Sequence, residues 1–257
     1  MRITFFVGNG FDISCGLKSS YKAFYEWYCK QDKSGKAHIN AFRDTIEKDI
    51  SEGKEHWADF EEALGQYTQN FTKETAQDFI DCYEDAHSNL MQYLEGETSR
   101  FQEDFDEEEI VAFREGLKTF YSELSPKERN QFEDIFKSHH NESSSIEFVS
   151  YNYTDTLDKI VSVAAKEPLD TWSNVNGKRC TLSISSTIIH AHGLLDHHPI
   201  FGVNDEHQIK NKVLLEVPDF SRLMIKPKCV EALGELWHDE VDARISNSSI
   251  ICIRKLL

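Results

Sequence analysis

The segment that decides the fold is residues 3–12, Ile3-Thr4-Phe5-Phe6-Val7-Gly8-Asn9-Gly10-Phe11-Asp12. Its first half is a short apolar run that ends where Gly8 and Gly10 begin to alternate with other residues. A short apolar run stopped by glycine is typical of a buried strand in a parallel sheet. The sequence therefore predicts an α/β protein with a Rossmann-like parallel sheet.

The loop after this strand is a candidate phosphate- or nucleotide-binding loop, because open α/β sheets bind ligands beyond the carboxyl ends of their strands. The loop comprises Gly8, Asn9, Gly10, Phe11 and Asp12. Its glycines let the backbone turn sharply and approach a ligand, and its exposed N–H groups can hold a phosphate. Asp12 can orient a ribose hydroxyl or a water, or cap the next turn. An ordinary strand-to-helix turn is the alternative, because Ile13 replaces the third glycine of a G-x-G-x-x-G motif.

A long helical block follows the first strand. Phe79, Tyr83, Ala86 and Leu90 form one of its apolar stripes at helical spacing. A helix start is predicted at residues 125–128, which supply a Ser cap, a Pro at the first helical position and a Glu that closes a capping box. Strand patterns return at residues 146–150, 182–190, 199–203 and 249–253, and a helix pattern at 154–166. We expect one domain, residues 1–257, with a helical insertion at about 19–145 between the first and second strands.

Two further segments place polar side chains at the ends of predicted strands. Asn152, Thr154 and Asp155 follow the second strand, where they can bind a carboxamide or a ribose or can cap the next helix. His190 and His192 close the third strand, and the twofold period of a strand predicts that they share a face. A histidine there can act as a general base near neutral pH.

Two alternatives remain for these histidines. Together with Asp196, His197 and His198 they can form a metal site. They can also be half-buried histidines that form hydrogen bonds with the backbone.

The ends of all three predicted strands would converge on one crevice in a parallel sheet. This convergence is the main argument from the sequence for a ligand site.

Composition limits the partners and the compartment. The 257 residues carry a net charge of −17 without a basic stripe, so neither a nucleic acid nor an anionic membrane is expected as a partner. Six cysteines without a C-x-x-C pair suit a reducing cytosol and indicate neither zinc nor a redox pair. No secretory signal and no apolar run of about 20 residues is present. These features predict a cytoplasmic protein.

In their order along the chain, these segments resemble the AbiH family of phage abortive-infection proteins. The resemblance rests on residues 6–12, 16–21 with Phe24, 149–154 and 190–193, and it spans residues 1 to about 253. It implies a role in abortive infection, in which an infected bacterial cell halts before the phage matures. A phage-derived trigger and a second copy of the chain are partners that such a role suggests.

More distantly, the order of the loops is similar to that of SIR2-like domains, which bind NAD and in several defence proteins hydrolyse it. By that resemblance Gly8, Gly10 and Asp12 would line the dinucleotide. Asn152 would hold the nicotinamide side, and His192, next to a glycine, would be the catalytic histidine. The expected catalytic residues are thus His192 and Asn152, and the expected NAD-binding residues are Gly8, Asn9, Gly10, Phe11, Asp12, Thr154, Asp155 and Gly193.

The chain departs from these families at two places. SIR2-like loops commonly have Asn-x-Asp, whereas here Asn152 precedes Tyr153 and Thr154, and the acid is Asp155. The family continues past the last strand with a Gly- and Ser-containing loop and an acid, whereas this chain stops at Leu257. We therefore expect a shortened carboxyl end and, if that loop contributes to the site, an impaired one.

The resemblances imply an antiphage protein that binds NAD and hydrolyses it to nicotinamide and ADP-ribose. A nucleotide sensor without chemistry is one alternative. A metal-dependent hydrolase or nuclease that uses His190, His192 and Asp196 is another, although the charge of −17 disfavours a nucleic-acid substrate.

Overall fold

The computed structural model describes residues 1–53, 59–100, 105–138, 144–175, 178–233 and 237–253. The carboxyl end at residues 254–257, which we expected to be shortened, lies outside this part of the chain. The strands are β1 (Arg2–Val7), β2 (Ser144–Ser150), β3 (Leu169–Val175), β4 (Lys178–His190) and β5 (Ile250–Ile253). The helices are α1 (Gly10–Ser14), α2 (Tyr21–Tyr28), α3 (Ala37–Ser51), α4 (Phe60–Tyr67), α5 (Ala76–Arg100), α6 (Glu107–Thr119), α7 (Pro126–Ser138), α8 (Thr156–Ala164), α9 (Phe220–Met224), α10 (Lys226–Leu233) and α11 (Trp237–Asn247).

The strands form one sheet in the order β3-β4-β2-β1-β5. β1 pairs in parallel with β2 and with β5, and β2 pairs in parallel with β4, whereas β3 is antiparallel to β4. Helices α1 to α7 lie between β1 and β2 along the chain. The predictions of an α/β protein, of a parallel sheet and of a helical block between the first two strands are confirmed.

The apolar run of β1 is explained by packing on both faces of the sheet. Ile3, Phe5 and Val7 are buried in a core cluster to which β2, α6 and α8 also contribute. Phe6 points to the opposite face and packs against a second cluster that includes Val241 of α11. A strand that is covered on both faces has no solvent-exposed positions that need polar residues.

Two strand predictions differ from the structure. The predicted strand at 199–203 is wrong, because Val203 makes only an isolated parallel bridge with Ile225. Helix α9 ends at Met224 and α10 begins at Lys226, so Ile225 is the one residue between them that is available for pairing. β3 was not predicted, and it forms an antiparallel hairpin with β4, which begins at Lys178 rather than at residue 182.

The described residues divide into two compact units. The first contains those within 1–17, 101–194 and 239–257, and the second contains those within 18–100 and 195–238. The predicted insertion is therefore divided, because α2 to α5 belong to the second unit and α6 and α7 to the first. Whether the chain is one domain stays a prediction.

The second unit joins two segments that are far apart in sequence. The buried Thr68 hydroxyl accepts hydrogen bonds from the N–H groups of Lys210 and Asn211, each at 3.1 Å. A Cβ at Gly65 would lie 2.5 Å from the carbonyl oxygen of Gln208, so only glycine fits where these segments meet. Buried aromatic rings fill the interior of this unit: Phe24, Tyr25, Tyr28, Phe42, Phe60, Phe79, Phe201 and Phe220.

Candidate functional site

Three strands of the first unit end at the same level of the sheet. Val7 is the register partner of Ser150, and Ser150 is the register partner of His190. The pairing continues one step into the loops, because the Tyr151 N–H donates to the Val7 carbonyl and the Ala191 N–H donates to the Ser150 carbonyl, both at 2.8 Å. The loops at residues 8–12, 151–155 and 191–193 therefore leave the sheet side by side, and the predicted convergence of the three strand ends is confirmed.

The first loop is open at its start and buried at its end. Gly8 is exposed, and a Cβ placed on it would meet no atom of the described chain within 4 Å. Asn9 and Gly10 are half-buried, and α1 begins at Gly10. Phe11 is 2% exposed and packs edge to face on Phe113 of α6, so its side chain lies in the core.

Asp12 ties the first loop to the second. Its carboxylate accepts a hydrogen bond from Asn152 Nδ2 at 3.0 Å and another from the Thr154 hydroxyl at 2.6 Å. All three side chains are buried. Burial raises the pKa of Asp12 to about 6, although the bonds from Thr154 and Asn152 act in the opposite direction. These three predicted site residues therefore bind one another and fix the relative position of two loops.

The Asn152 amide is held in one orientation and keeps one atom for a further partner. Its backbone N–H donates to the Ser150 hydroxyl at 3.2 Å, and its Nδ2 donates to Asp12. Its Oδ1 is buried and has no hydrogen-bond partner among the described residues. A buried carbonyl oxygen without a donor costs about 1–3 kcal/mol, so this atom favours a donor from outside these residues.

Asp155 and Gly193 have simpler surroundings. Asp155 is exposed and forms an ion pair with Lys159 at 3.0 Å across one turn of α8. Gly193 has φ 72° and its N–H donates to the His190 carbonyl at 3.2 Å. The left-handed conformation explains why a glycine occupies position 193, independently of any ligand.

The two histidines have different partners. His190 Nε2 lies 3.2 Å from Asp158 Oδ1 on α8, and His190 Nδ1 is buried without a partner among the residues that the structure describes. His192 is half-buried, with ring centroids 5.1 Å from Tyr151 and 6.0 Å from Tyr153. β4 ends at His190, so the alternation of a strand does not extend to His192.

Three residues near these loops were not predicted as site residues: Phe6, Tyr151 and Asp158. Asp158 could not be paired with His190 from sequence, because the pairing depends on which strand lies beside α8. Tyr151 directly precedes Asn152 in the sequence. Its position immediately after the predicted strand at 146–150 was the signal that could have identified it as a site residue.

The described residues contain one group of three His, Cys, Asp or Glu side chains whose ligand atoms lie within 4.8 Å of one another. It consists of His38, Asp78 and Asp81 in the second unit. The Lys36 ammonium already lies 2.6 Å from Asp81 in this group. His190, His192 and Asp196 are not part of it, so the metal-dependent alternative gains no support.

None of the described helices combines the length and the apolar character that crossing a membrane requires. The model of the family described as bacteriophage abortive infection AbiH matches residues 4–247. No curated protein and no solved structure matches the chain. The similarity to SIR2-like domains and the Rossmann-like assignment therefore stay predictions.

Proposed function

This chain belongs to the AbiH family of bacteriophage abortive-infection proteins, and from this premise we propose that it defends the cell through a nucleotide-binding site at its three strand-end loops. The family match covers nearly the whole chain and implies the defence role. The family description names no ligand, and the proposal of a nucleotide therefore rests on the three loops.

The observation that carries the proposal is the common level at which Val7, Ser150 and His190 end their strands. Along the chain, β2 and β4 follow β1 on one side of it, whereas β5 comes last and lies on its other side. The strand order thus reverses between β1 and β5, so the loop after β1 borders the crevice in which α/β sheets bind nucleotides. The exposed Gly8, which directly follows β1, leaves room for a ligand to approach the backbone there.

NAD is the nucleotide that we propose. The buried Asn152 Oδ1 accepts a hydrogen bond from a donor such as a carboxamide N–H or a ribose hydroxyl, and NAD carries both. Asp12 and Thr154 act as positioning residues, because their hydrogen bonds hold Asn152 and the first loop in place. Asp155 is exposed at the start of α8, and Gly193 is buried at the end of the third loop.

The proposed reaction is hydrolysis of the bond between nicotinamide and ribose. A water oxygen bonds to the ribose carbon, the carbon–nitrogen bond breaks, and its electron pair leaves with nicotinamide, which becomes neutral. His192, half-buried beside Tyr151 at the rim, accepts the proton of the attacking water. Because the departing ring is cationic, positioning of the water supplies much of the rate enhancement.

A nucleotide sensor is the second candidate. The mutual hydrogen bonds of Asp12, Asn152 and Thr154 favour it, because side chains that are satisfied by one another hold the loops in place rather than react. In a sensor the same loops hold NAD without cleaving it.

The test is incubation of the full chain with NAD, in which calorimetry measures binding and chromatography measures released nicotinamide. His192→Ala is the test variant, and His207→Ala, which removes an exposed histidine of the second unit, is the matched control. We expect wild type and His207→Ala to bind NAD and release nicotinamide, and His192→Ala to bind it and release at least 100-fold less.

Each other outcome decides between the candidates. Binding by all three proteins with no release from any of them supports the sensor. Release that is equal in wild type and His192→Ala removes His192 from the mechanism. No binding of NAD or ADP-ribose to the wild type rejects the nicotinamide dinucleotide as the ligand.

A further inference from the structure

An aromatic cluster stands at the end of β2, beside the three loops. It comprises Phe6, Tyr151, Tyr153 and His192. The ring of Tyr151 stacks on Phe6 with centroids 6.1 Å apart and an interplanar angle of 26°. His192 meets the Tyr151 ring edge to face at 5.1 Å and 78°. The Tyr151 ring is therefore supported by two other rings within the first unit.

Tyr151 is nevertheless one of the exposed large side chains of the described chain, at 37%. Its flanking residues Ser150 and Asn152 are both buried. A large aromatic side chain that is fixed by neighbours and still exposed offers a flat apolar surface to a partner. Its backbone is also fixed, since the Tyr151 N–H donates to the Val7 carbonyl at 2.8 Å.

The Tyr151 backbone leaves the sheet at the proposed nucleotide site, and its ring contacts His192 of the third loop. Val7, whose carbonyl holds Tyr151, is followed directly by the open Gly8. The next residue after Tyr151 is Asn152, whose Oδ1 is buried without a donor in the described part of the chain. An exposed aromatic face, an open glycine and an oriented amide thus occur within a few residues at one edge of the sheet.

We propose that Tyr151, supported by Phe6 and His192, is the stacking platform for the aromatic base of the bound nucleotide. The inference rests on the proposed function, and it adds a base subsite to the polar contacts that the three loops provide. Every nucleobase and the nicotinamide ring present a flat π-face, so stacking on tyrosine suits this class of ligand.

The exposed face of the Tyr151 ring indicates which ligand rings the platform favours. Burial, and then the negative charge of Asp242 on α11, raise the pKa of the Tyr151 phenol, so this hydroxyl stays protonated at neutral pH. The face of a tyrosine ring is electron-rich and attracts a cation more than it attracts a neutral ring. The nicotinamide ring of NAD carries a positive charge, whereas adenine is neutral, and the platform therefore favours the nicotinamide half.

The experiment is calorimetric titration of the full chain with four probes: NAD, nicotinamide mononucleotide, AMP and ribose 5-phosphate. The variants are Tyr151→Ala, Tyr151→Leu and Tyr151→Phe, and the control is Val111→Ala, which shortens an exposed apolar side chain on α6. Tyr151→Leu keeps apolar contact with Phe6 and removes the aromatic face, so it decides the question if Tyr151→Ala does not fold.

We expect Tyr151→Ala and Tyr151→Leu to bind NAD and nicotinamide mononucleotide about 10- to 100-fold more weakly than wild type. Tyr151→Phe and Val111→Ala should bind them as wild type does. AMP should bind more weakly than nicotinamide mononucleotide, and ribose 5-phosphate should bind equally to all variants.

The outcomes separate this inference from the proposed function. If the wild type binds NAD and both Tyr151→Leu and Tyr151→Ala bind it equally well, the base subsite is rejected while the nucleotide site stands. The same conclusion follows if ribose 5-phosphate binds the wild type as tightly as nicotinamide mononucleotide. A larger loss for AMP than for nicotinamide mononucleotide overturns the preference for the cationic ring. If the wild type binds none of the probes, the proposed function fails as well.

Discussion

At the scale of single residues, Asp12 shows how burial and hydrogen bonding compete at one carboxyl group. The sequence singled out this residue as a ligand contact, and the structure places it 2% exposed, with Asn152 and Thr154 as its donors. From the sequence we could predict that Asp12 belongs to the candidate binding loop and that its carboxylate forms a hydrogen bond there. The hydrogen bonds by which Asp12 connects the first two loops could not be predicted. Their donors lie 140 and 142 positions away in the sequence and reach Asp12 only when β1 and β2 pair.

The raised pKa of Asp12 predicts a pH dependence of stability. In the unfolded chain this carboxyl loses its proton near pH 3.8, and in the fold near pH 6, so between these values the folded state holds more protons. The free energy of unfolding therefore falls as pH rises from about 4 to 6, by on the order of 3 kcal/mol from this group at about 1.4 kcal/mol per pH unit.

Asp12→Asn removes this titration and keeps the shape of the side chain. The Thr154 hydroxyl can rotate to accept a hydrogen bond, so the variant is expected to fold. Urea unfolding of both proteins at pH 4, 5, 6 and 7 measures the difference. We expect wild type to lose stability relative to Asp12→Asn over this range, and a difference that does not change with pH would contradict the raised pKa of Asp12.

At the scale of elements, the sequence predicted regular segments well and their pairing poorly. The stripe of Phe79, Tyr83, Ala86 and Leu90 is buried on α5, as its spacing indicated. The predicted capping box at the start of α7 is formed, with the Ser125 N–H donating to Glu128 Oε2 at 2.9 Å. Such local signals depend only on neighbouring residues.

Pairing between strands depends on residues that are far apart in sequence, so fewer of the strand pairs could be predicted. The apolar pattern at 199–203 is typical of a strand, but in the structure Val203 pairs only with Ile225, in an isolated bridge. The hairpin of β3 and β4 could not be predicted, because β3 has no regular alternation of apolar and polar residues. Convergence of three loops could be predicted, since parallel strands place their carboxyl ends at one edge.

Two glycines of the site loops, Gly8 and Gly193, predict different effects of substitution by alanine. Gly193 has φ 72°, so Gly193→Ala should lower the free energy of unfolding by about 1 kcal/mol through backbone strain. Gly8 has neither a positive φ nor an atom near its missing Cβ, so Gly8→Ala should leave stability within about 0.5 kcal/mol. It should weaken NAD binding, because the new methyl group occupies the approach to the backbone.

Urea unfolding and calorimetry of these two variants check both statements. Gly16→Ala is the control for strain alone, because Gly16 also has a positive φ and open space. Gly8→Ala with full NAD affinity would show that no ligand atom approaches the backbone at that position. Gly193→Ala with unchanged stability would contradict the strain at the turn.

At the scale of the whole molecule, the net charge of −17 and the two compact units are the main facts. The charge could be obtained from composition and disfavours polyanionic partners. The division into units could not be predicted, since no periodic pattern marks that residues 195–238 pack with 18–100. Hydrogen bonds such as those from Lys210 and Asn211 to Thr68 create that association.

The candidate site lies within the first unit, which holds all three strand-end loops, α8 and the Tyr151 platform. Among its polar groups, those of Asp12, Asn152, Thr154 and His192 had been selected from the sequence. The partners of those groups, Asp158 for His190 and Tyr151 for His192, became apparent only with the sheet order and the packing.

The claim that these loops hold a nucleotide is tested most directly by hydrogen–deuterium exchange of the full chain with and without saturating NAD. We expect slower amide exchange in peptides that cover residues 8–12, 150–155 and 190–193, because a bound ligand shields these N–H groups and restricts local opening. Peptides from α3 and α5 in the second unit should exchange at unchanged rates. Unchanged exchange in all three loops, or protection confined to the second unit, would contradict the nucleotide site.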